Sequence, residues 1–267
     1  MSHQSGKRAG IVPIKRQGLI ELKTPGELLK MRKAGQVVAK TLAVLKDAIR
    51  PGITTGELDR IAGKTVYDLG AKPSFLGYCG YPAVLCASVN EEVVHGIPAD
   101  GRVLKAGDIV SLDMGAFVEG FHGDSAITVP VGKISARTQK LIDVTRTSLE
   151  RAIEIIRPGA TLGDIGHAVQ SYAEGCGMSV VRDFVGHGIG RRMHEEPPVP
   201  NYGRKGAGPA LEAGMVIAVE PMINAGGYEV RVLENGWTVV TVDGSLSAHF
   251  EHTIAVTEHG CELMTLP

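Results

Sequence analysis

The segment IRPGITTGE at residues 49–57 decides the fold, because the chain repeats it as IRPGATLGD at residues 156–164. The two copies are separated by an offset of 156 − 49 = 107 along the chain. In each copy a threonine follows Pro-Gly, where its hydroxyl can cap a helix that begins directly after it. A similar capping signal, TPGE at residues 24–27, predicts the start of the first helix, and a second helical pattern covers about residues 56–69. A period of this length is far too long for a solenoid, so the repeat predicts two related halves.

Two further pairs of segments extend the repeat into strands. AGDIVSLD at residues 106–113 matches AGMVIAVE at residues 213–220, again at an offset of 107. DSAITV at residues 124–129 matches EHTIAV at residues 251–256, at an offset of 127 that implies a 20-residue insertion. Short apolar runs rich in β-branched residues indicate buried strands. We therefore expect an α+β fold, in which two halves related by a pseudo-two-fold axis combine antiparallel sheet with helices that cover it.

The predicted domain organisation has one catalytic domain over residues 21–267, with half-repeats at about 22–133 and 134–267. Residues 1–20 contain four basic residues and no acidic residue. We expect this segment to be a solvated, flexible tail, since termini are commonly poorly ordered. Contact between this basic tail and an anionic partner such as the ribosome is the alternative.

Composition excludes several classes of protein. The 28 basic and 29 acidic residues nearly cancel, and 43% of the 267 residues are hydrophobic, which is typical of a soluble globular protein and not of a disordered one. The near-zero charge argues against a DNA-binding surface. The sequence contains neither a secretory signal pattern nor an apolar run as long as a transmembrane helix requires, so we expect no membrane contact. The four cysteines are too scattered for a disulfide framework, which favours the reducing cytoplasm.

The repeat predicts a cluster of carboxylates. Asp113 and Asp124 flank a segment with a Glu119-Gly120 turn signal, so a hairpin would bring the two acids close to opposite one another. The second half supplies Glu220 and Glu251 at matching strand ends. Four converging carboxylates repel one another unless cations neutralise them. Oxygen-rich sites suit divalent ions, and the number of acids fits two ions better than one.

Histidines complete the candidate site. His187 lies between two glycines, which let the backbone approach a ligand, and we assign it as the fifth metal ligand. An imidazole ligand shifts the choice of ion from magnesium towards Fe²⁺, Mn²⁺, Co²⁺ or Zn²⁺. His194 and His95 are candidates for contact with a substrate. The remaining histidines near the acids are expected to support the ligands or face solvent: His122, His249 and His252.

At these residues the chain resembles the type I methionine aminopeptidases, which have the pita-bread fold, from about Leu22 to Leu266. The matching motifs, in addition to the Asp113-x10-Asp124 pair, are GYCGYP (77–82), NEEVVHGIP (90–98), GHGIGRRMHEEP (186–197), VEP (219–221) and FEHT (250–253). The resemblance implies an enzyme that removes the initiator methionine from nascent chains when the second residue is small. It places the metal ligands on the same five residues, substrate contacts on His95 and His194, and a methionine pocket on Tyr78, Tyr81, Cys86, Met193 and Trp237.

The expected mechanism follows from charge. A water that bridges two cations loses a proton readily and gives a hydroxide nucleophile. Glu220 would act as general base and pass the proton to the leaving nitrogen. His194 would stabilise the oxyanion, and His95 would hydrogen-bond the scissile nitrogen.

The sequence departs from the common residues of the family at three positions. Phe75, Met193 and His249 stand where relatives commonly carry Cys, Phe and Gln, which leaves the shape of the pocket and the tolerance for the second residue open.

One alternative function is that of an X-Pro-cleaving peptidase of the same fold, although such proteins usually carry a large extra N-terminal domain. Another is a non-catalytic pita-bread protein that binds RNA or ribosomes, although such relatives lose metal ligands. We expect a bacterial or organellar type of enzyme that acts as a monomer.

Overall fold

The computed structural model describes residues 19–267. Its helices are α1 (Pro25–Ala48), α2 (Thr55–Asp68), α3 (Ala136–Ile155) and α4 (Leu162–Gly175), with a short 3-10 helix at Tyr78–Gly80. The strands of the first half are β1 (Lys72–Pro73), β2 (Cys86–Val89), β3 (Glu92–Val94), β4 (Ile109–Val118) and β5 (Phe121–Pro130). Those of the second half are β6 (Ser179–Val180), β7 (Gly186–Gly188), β8 (Glu195–Val199), β9 (Val216–Val219), β10 (Met222–Asn224), β11 (Val230–Val232), β12 (Val239–Thr241), β13 (Ser247–His249), β14 (His252–Val256) and β15 (Cys261–Leu263). Within residues 19–267, each helix is too short or too polar to cross a bilayer.

The predicted helix starts are confirmed. Thr24 caps α1, Thr54 caps α2 and Thr161 caps α4, and each forms a full capping box with the acidic residue three positions later. Such a box satisfies two of the main-chain N–H groups that every helix leaves without an internal partner. The second helix covers Thr55–Asp68, one residue earlier than the sequence pattern indicates.

The duplication is visible in the backbone. Thr54 forms an isolated antiparallel bridge with Val103, and Thr161 forms the equivalent bridge with Ala210, so both partners keep the offset of the sequence repeat. The repeated turn glycine has φ of +93° in Gly52 and +85° in Gly159, a conformation that side chains with a Cβ rarely adopt. The two halves are therefore related in structure as well as in sequence.

Each half contributes one main antiparallel sheet. In the first half the long hairpin β4–β5 carries β1 and β2 on the other edge of β4. In the second half the strand order is β15-β14-β9-β7-β8. Two smaller sheets, β13-β10-β6 and β11-β12-β3, lie beside them, and the second of these joins strands from both halves. The predicted hairpin turn is observed at Glu119 and Gly120, both of which have positive φ, as the favoured two-residue turns require.

Two apolar cores hold the helices against the sheets. One packs Met31 and Leu45 of α1 with Leu58 of α2 and Leu112 of β4, and the other contains residues of α3, α4, β9 and β14. Burying one such side chain contributes about 1.5–3 kcal/mol. This packing leaves the ends of the central strands from the two halves facing one another.

Candidate metal centre

The hairpin β4–β5 supplies Asp113 and Asp124. The two-residue turn pairs Val118 with Phe121, and this register places Asp124 opposite Gly115 instead of opposite Asp113. The two acids are therefore diagonal neighbours, close to opposite one another as the hairpin predicted. Because residues two apart along a strand point to the same side, both carboxylates still share one face of the sheet.

Glu251 joins them through contacts between the halves. Its main-chain N–H donates to the carbonyl of Ala126, 2.9 Å away, and its carbonyl accepts from the hydroxyl of Ser125. Two residues further on, the Thr253 hydroxyl donates to the carbonyl of Asp124 at 2.8 Å and accepts from the N–H of the same residue at 3.0 Å. These bonds hold β5 against the start of β14 and bring Glu251 beside Asp124.

Glu220 comes directly after β9, the strand that pairs with both β7 and β14. Its main-chain carbonyl accepts from the side-chain amide of Asn201 at 2.9 Å. Its Oε1 lies 3.7 Å from Nε2 of His187, and its Oε2 lies 3.7 Å from Nε2 of His249. The carboxylate therefore lies between two imidazoles.

His187 on β7 is oriented by its own backbone. Its Nδ1 lies 2.9 Å from the carbonyl of Gly188. Because a carbonyl can only accept, Nδ1 carries the proton and Nε2 presents a lone pair, the arrangement that metal-binding histidines use. Nε2 also lies 3.8 Å from Oδ2 of Asp124. Burial lowers the pKa of His187 to about 3, which keeps the ring neutral.

The burial and close approach of four carboxyl groups and one imidazole favour the binding of a cation. Asp124, His187 and Glu251 are buried, and each offers a ligand atom within 4.8 Å of the others. Burial raises the pKa of Asp124 to about 7. Burial, together with repulsion from neighbouring carboxylates, also raises the pKa values of Asp113, Glu220 and Glu251 well above their ordinary range.

Some carboxylate oxygens in this cluster have no hydrogen-bond partner among residues 19–267, although they are buried: Asp113 Oδ1, Asp124 Oδ1 and Glu251 Oε1. Buried charges occur in proteins when they are paired or bind metals. Hard oxygen donors with one imidazole therefore fit one or more divalent ions.

The two predicted substrate histidines flank this cluster. His194 follows β7 in the loop to β8, where its ring stacks on Tyr78 with centroids 5.3 Å apart and lies 4.2 Å from the ring of His187. Nδ1 of His194 is 2.8 Å from the hydroxyl of Tyr78. His95 lies just after β3 with a positive φ of 59°, edge-on to Phe184 and to Trp237. His194 therefore lies beside a residue of the cluster. His95, from the other half of the chain, lies close enough to His249 to add to the effect of burial, which lowers the pKa of His249.

The predicted pocket residues lie beside these histidines. Tyr81 contacts Trp237 edge-on, with centroids 5.1 Å apart, and its hydroxyl donates to the carbonyls of Leu85 and Gly96, both at 3.1 Å. Cys86 on β2 pairs with Asp113, so its main chain lies next to the metal ligands. Of the five pocket candidates, Tyr81, Cys86 and Met193 are buried within the first core, Trp237 packs against that core, and Tyr78 is exposed.

The three remaining histidines differ in placement. His122 contacts the hydroxyl of Ser74 at 2.8 Å, and His252 contacts that of Thr265 at 2.7 Å. His249 is 1% exposed and faces Glu220. The sequence left open whether His249 supports the ligands or faces solvent, and its burial beside Glu220 is the first of these two arrangements.

Comparison with known proteins identifies the family to which the sequence belongs. A model of metallopeptidase family M24 matches residues 29–258. A methionine aminopeptidase from Clostridium perfringens is 54% identical over 93% of this chain and 99% of its own length. Methionine aminopeptidase 1 from Bacillus subtilis is 53% identical over 92% of this chain and 99% of its own.

Solved structures extend the agreement to the fold. The crystal structure of methionine aminopeptidase from Thermotoga maritima matches with a TM-score of 0.92 and 49% identity, over 93% of this chain and all of the other. A prolidase from Pyrococcus horikoshii shares only the fold, with a TM-score of 0.74 and 22% identity over 91% of this chain and 63% of its own. The predicted α+β pita-bread fold is confirmed. The chain belongs to metallopeptidase family M24 and, within it, to the methionine aminopeptidases of the bacterial type I group.

Proposed function

We propose that this chain removes N-terminal methionine from nascent polypeptides whose second residue is small. The observation that carries the proposal is the convergence of Asp113, Asp124, His187, Glu220 and Glu251, with buried carboxylate oxygens that no residue within 19–267 satisfies. The same residues would hold two divalent ions, drawn from Fe²⁺, Mn²⁺, Co²⁺ and Zn²⁺. Ions of this kind supply Lewis-acid polarisation and activation of water.

The side chains around the cluster suit the steps of peptide hydrolysis. Glu220 is the general base that accepts the proton of the attacking water and delivers it to the leaving nitrogen. His194 stabilises the oxygen of the scissile carbonyl as negative charge develops there. His95 hydrogen-bonds the scissile nitrogen.

The apolar wall beside the cluster suits a methionine side chain. Tyr81, Cys86 and Met193 are buried, Trp237 packs against the same core, and Tyr78 is exposed. Thioether groups pack well against aromatic rings. These five residues form the proposed methionine pocket, and their aliphatic and aromatic atoms favour methionine over charged N-terminal residues.

The cellular setting follows from the same reaction. We infer that the enzyme acts in the cytoplasm, where nascent chains emerge and where its four free cysteines stay reduced. We expect a monomer, with a single catalytic domain over residues 21–267. The proposed ribosome contact involves the basic segment 1–20, most of which lies outside the described residues.

One assay separates this function from its rivals. Purified protein is incubated with Met-Ala-Ser and with Ala-Pro-Ala, before and after chelation and metal add-back. We expect release of methionine from the first peptide, loss of activity on chelation, and recovery with Mn²⁺ or Co²⁺. Cleavage of the X-Pro peptide alone, or activity that survives both chelation and Glu220→Gln, would overturn the proposal.

A further inference from the structure

The buried ring of His249 has no hydrogen-bond partner among residues 19–267. It is 1% exposed, and within the described part of the chain neither ring nitrogen makes a hydrogen bond. Leaving a buried polar group unsatisfied costs about 1–3 kcal/mol, and native proteins seldom tolerate it without a reason. The ring therefore calls for a functional explanation.

The backbone fixes where this ring lies. The N–H of His249 donates to the Thr128 hydroxyl at 2.9 Å, and that hydroxyl donates to the carbonyl of His249 at 2.8 Å. On the other side, β13 pairs with β10, with His249 opposite Met222. Because these bonds hold the main chain of His249 on both sides, they fix the position from which its buried ring extends towards Glu220.

The nearest carboxylate oxygen belongs to Glu220. Nε2 of His249 lies 3.7 Å from Oε2, which is longer than a hydrogen bond and too short for a water to lie between the two atoms. The other oxygen, Oε1, lies 3.7 Å from the metal-facing nitrogen of His187. A shift of the carboxylate by about 0.8 Å would bring the first pair to hydrogen-bond distance. Glu220 would then have one oxygen held by His249 and the other directed to the metal centre.

We propose that His249 is a positioning residue for Glu220, whose Oε2 accepts a hydrogen bond from Nε2–H of His249 when divalent ions are bound. The inference rests on the metal centre of the proposed function and not on its substrate. A carboxylate only accepts hydrogen bonds, so the neutral ring must carry its proton on Nε2. Partners of this kind orient metal-binding carboxylates, and their loss typically lowers metal affinity 10–100-fold.

Calorimetric titration of metal-depleted protein with Mn²⁺ tests the proposal. His249→Leu removes the donor at similar volume and should weaken Mn²⁺ binding 10–100-fold. His249→Gln keeps an N–H donor and should restore most of the loss. His252→Leu is the matched control, since His252 is also near Glu251 but contacts Thr265, and it should bind Mn²⁺ like the unaltered protein. Equal affinity for Mn²⁺ in the unaltered protein and His249→Leu would overturn the proposal.

A measurement on the unaltered protein covers the case in which a core variant fails to fold. Nitrogen-15 histidine spectra, with the His249 signal assigned by its loss in His249→Gln, should show the ring protonated on Nε2. Addition of Zn²⁺ should shift that N–H proton downfield, as a shorter hydrogen bond requires. A ring protonated only on Nδ1, or a His249 nitrogen that binds Zn²⁺ directly, would overturn the proposal. If the Mn²⁺ affinities behave as expected while Met-Ala-Ser is not cleaved, the proposed function fails and the role of His249 stands.

Discussion

Lys23→Met should strongly destabilise the protein, because Lys23 forms a buried ion pair. Its ammonium lies 2.7 Å from Oε2 of Glu195, and the two side chains are 1% and 4% exposed. Within residues 19–267, the other oxygen of Glu195 accepts from the N–H of Arg192 at 3.0 Å. Removing one partner of a buried pair leaves an uncompensated charge and costs about 3–5 kcal/mol. Glu195 follows His194 directly, so the pair also anchors the loop that carries the proposed oxyanion donor.

The expected loss can be converted into a melting temperature. With an unfolding entropy of about 2.1 cal/mol/K per residue, a chain of 267 residues has about 0.56 kcal/mol/K, so Tm should fall by about 5–9 °C. The assay is differential scanning calorimetry of metal-loaded protein. Lys33→Met is the matched control, since Lys33 forms a 2.6 Å pair with Glu119 in which both side chains are about half exposed. An exposed pair contributes about 0–1 kcal/mol, which corresponds to less than about 2 °C.

A double variant distinguishes charge from packing. Lys23→Met with Glu195→Leu removes both charges, and an apolar replacement of a buried pair is often neutral or stabilising. Most of the loss in Tm should therefore be recovered. If Lys23→Met and Lys33→Met cost the same, or if the double variant is no more stable than Lys23→Met, the reasoning about the buried pair is refuted.

Three further predictions concern stability. Asp59→Ala should lower the free energy of unfolding by about 2–6 kcal/mol, because one Asp59 oxygen accepts hydrogen bonds from two main-chain N–H groups just before β2. Urea denaturation measures this loss, and an equal loss in Asp47→Ala, at an exposed position, would contradict the prediction. Gly35→Ala should lower the free energy of unfolding by about 1–3 kcal/mol or more in the same assay, because the added Cβ would overlap the main chain of Met264. Gly26→Ala is the control, since its Cβ would meet open space and should not lower the free energy of unfolding. Equal effects of the two substitutions would contradict the prediction. The Tm of metal-free protein should fall as pH rises from about 7.5 to 9. Burial raises the pKa of Asp124 to about 7 and the pKa values of Asp113, Glu220 and Glu251 well above their ordinary range, so the folded state binds protons that the unfolded state does not. Histidines, whose ordinary pKa is about 6.5, are almost fully neutral above about pH 7.5 in both states. A Tm in chelator that rises over this interval would contradict the prediction, and metal-loaded protein is the control.

The sequence predicts those parts of the molecule that depend on local or repeated signals. The internal repeat identified the capping threonines of α2 and α4, and the Glu119-Gly120 signal identified the hairpin that carries Asp113 and Asp124. These features depend on a few neighbouring residues, so their physical causes are present in a single stretch of chain.

Features that depend on distant packing were not predictable in the same way. The pair Lys23–Glu195 joins residues 172 positions apart, and neither residue belongs to a repeated segment. The approach of His249 to Glu220 depends on how the strands of the second half come together. Such contacts require the folded arrangement of both halves.

Anomalous scattering from crystals of the protein soaked in Mn²⁺ would show directly whether the five proposed ligands bind two ions. We predict two manganese peaks enclosed by the two acids of the hairpin, Asp113 and Asp124, together with His187, Glu220 and Glu251. A single peak, peaks elsewhere on the protein, or no peak at these residues would contradict the claim that the duplicated halves converge to hold a pair of divalent ions.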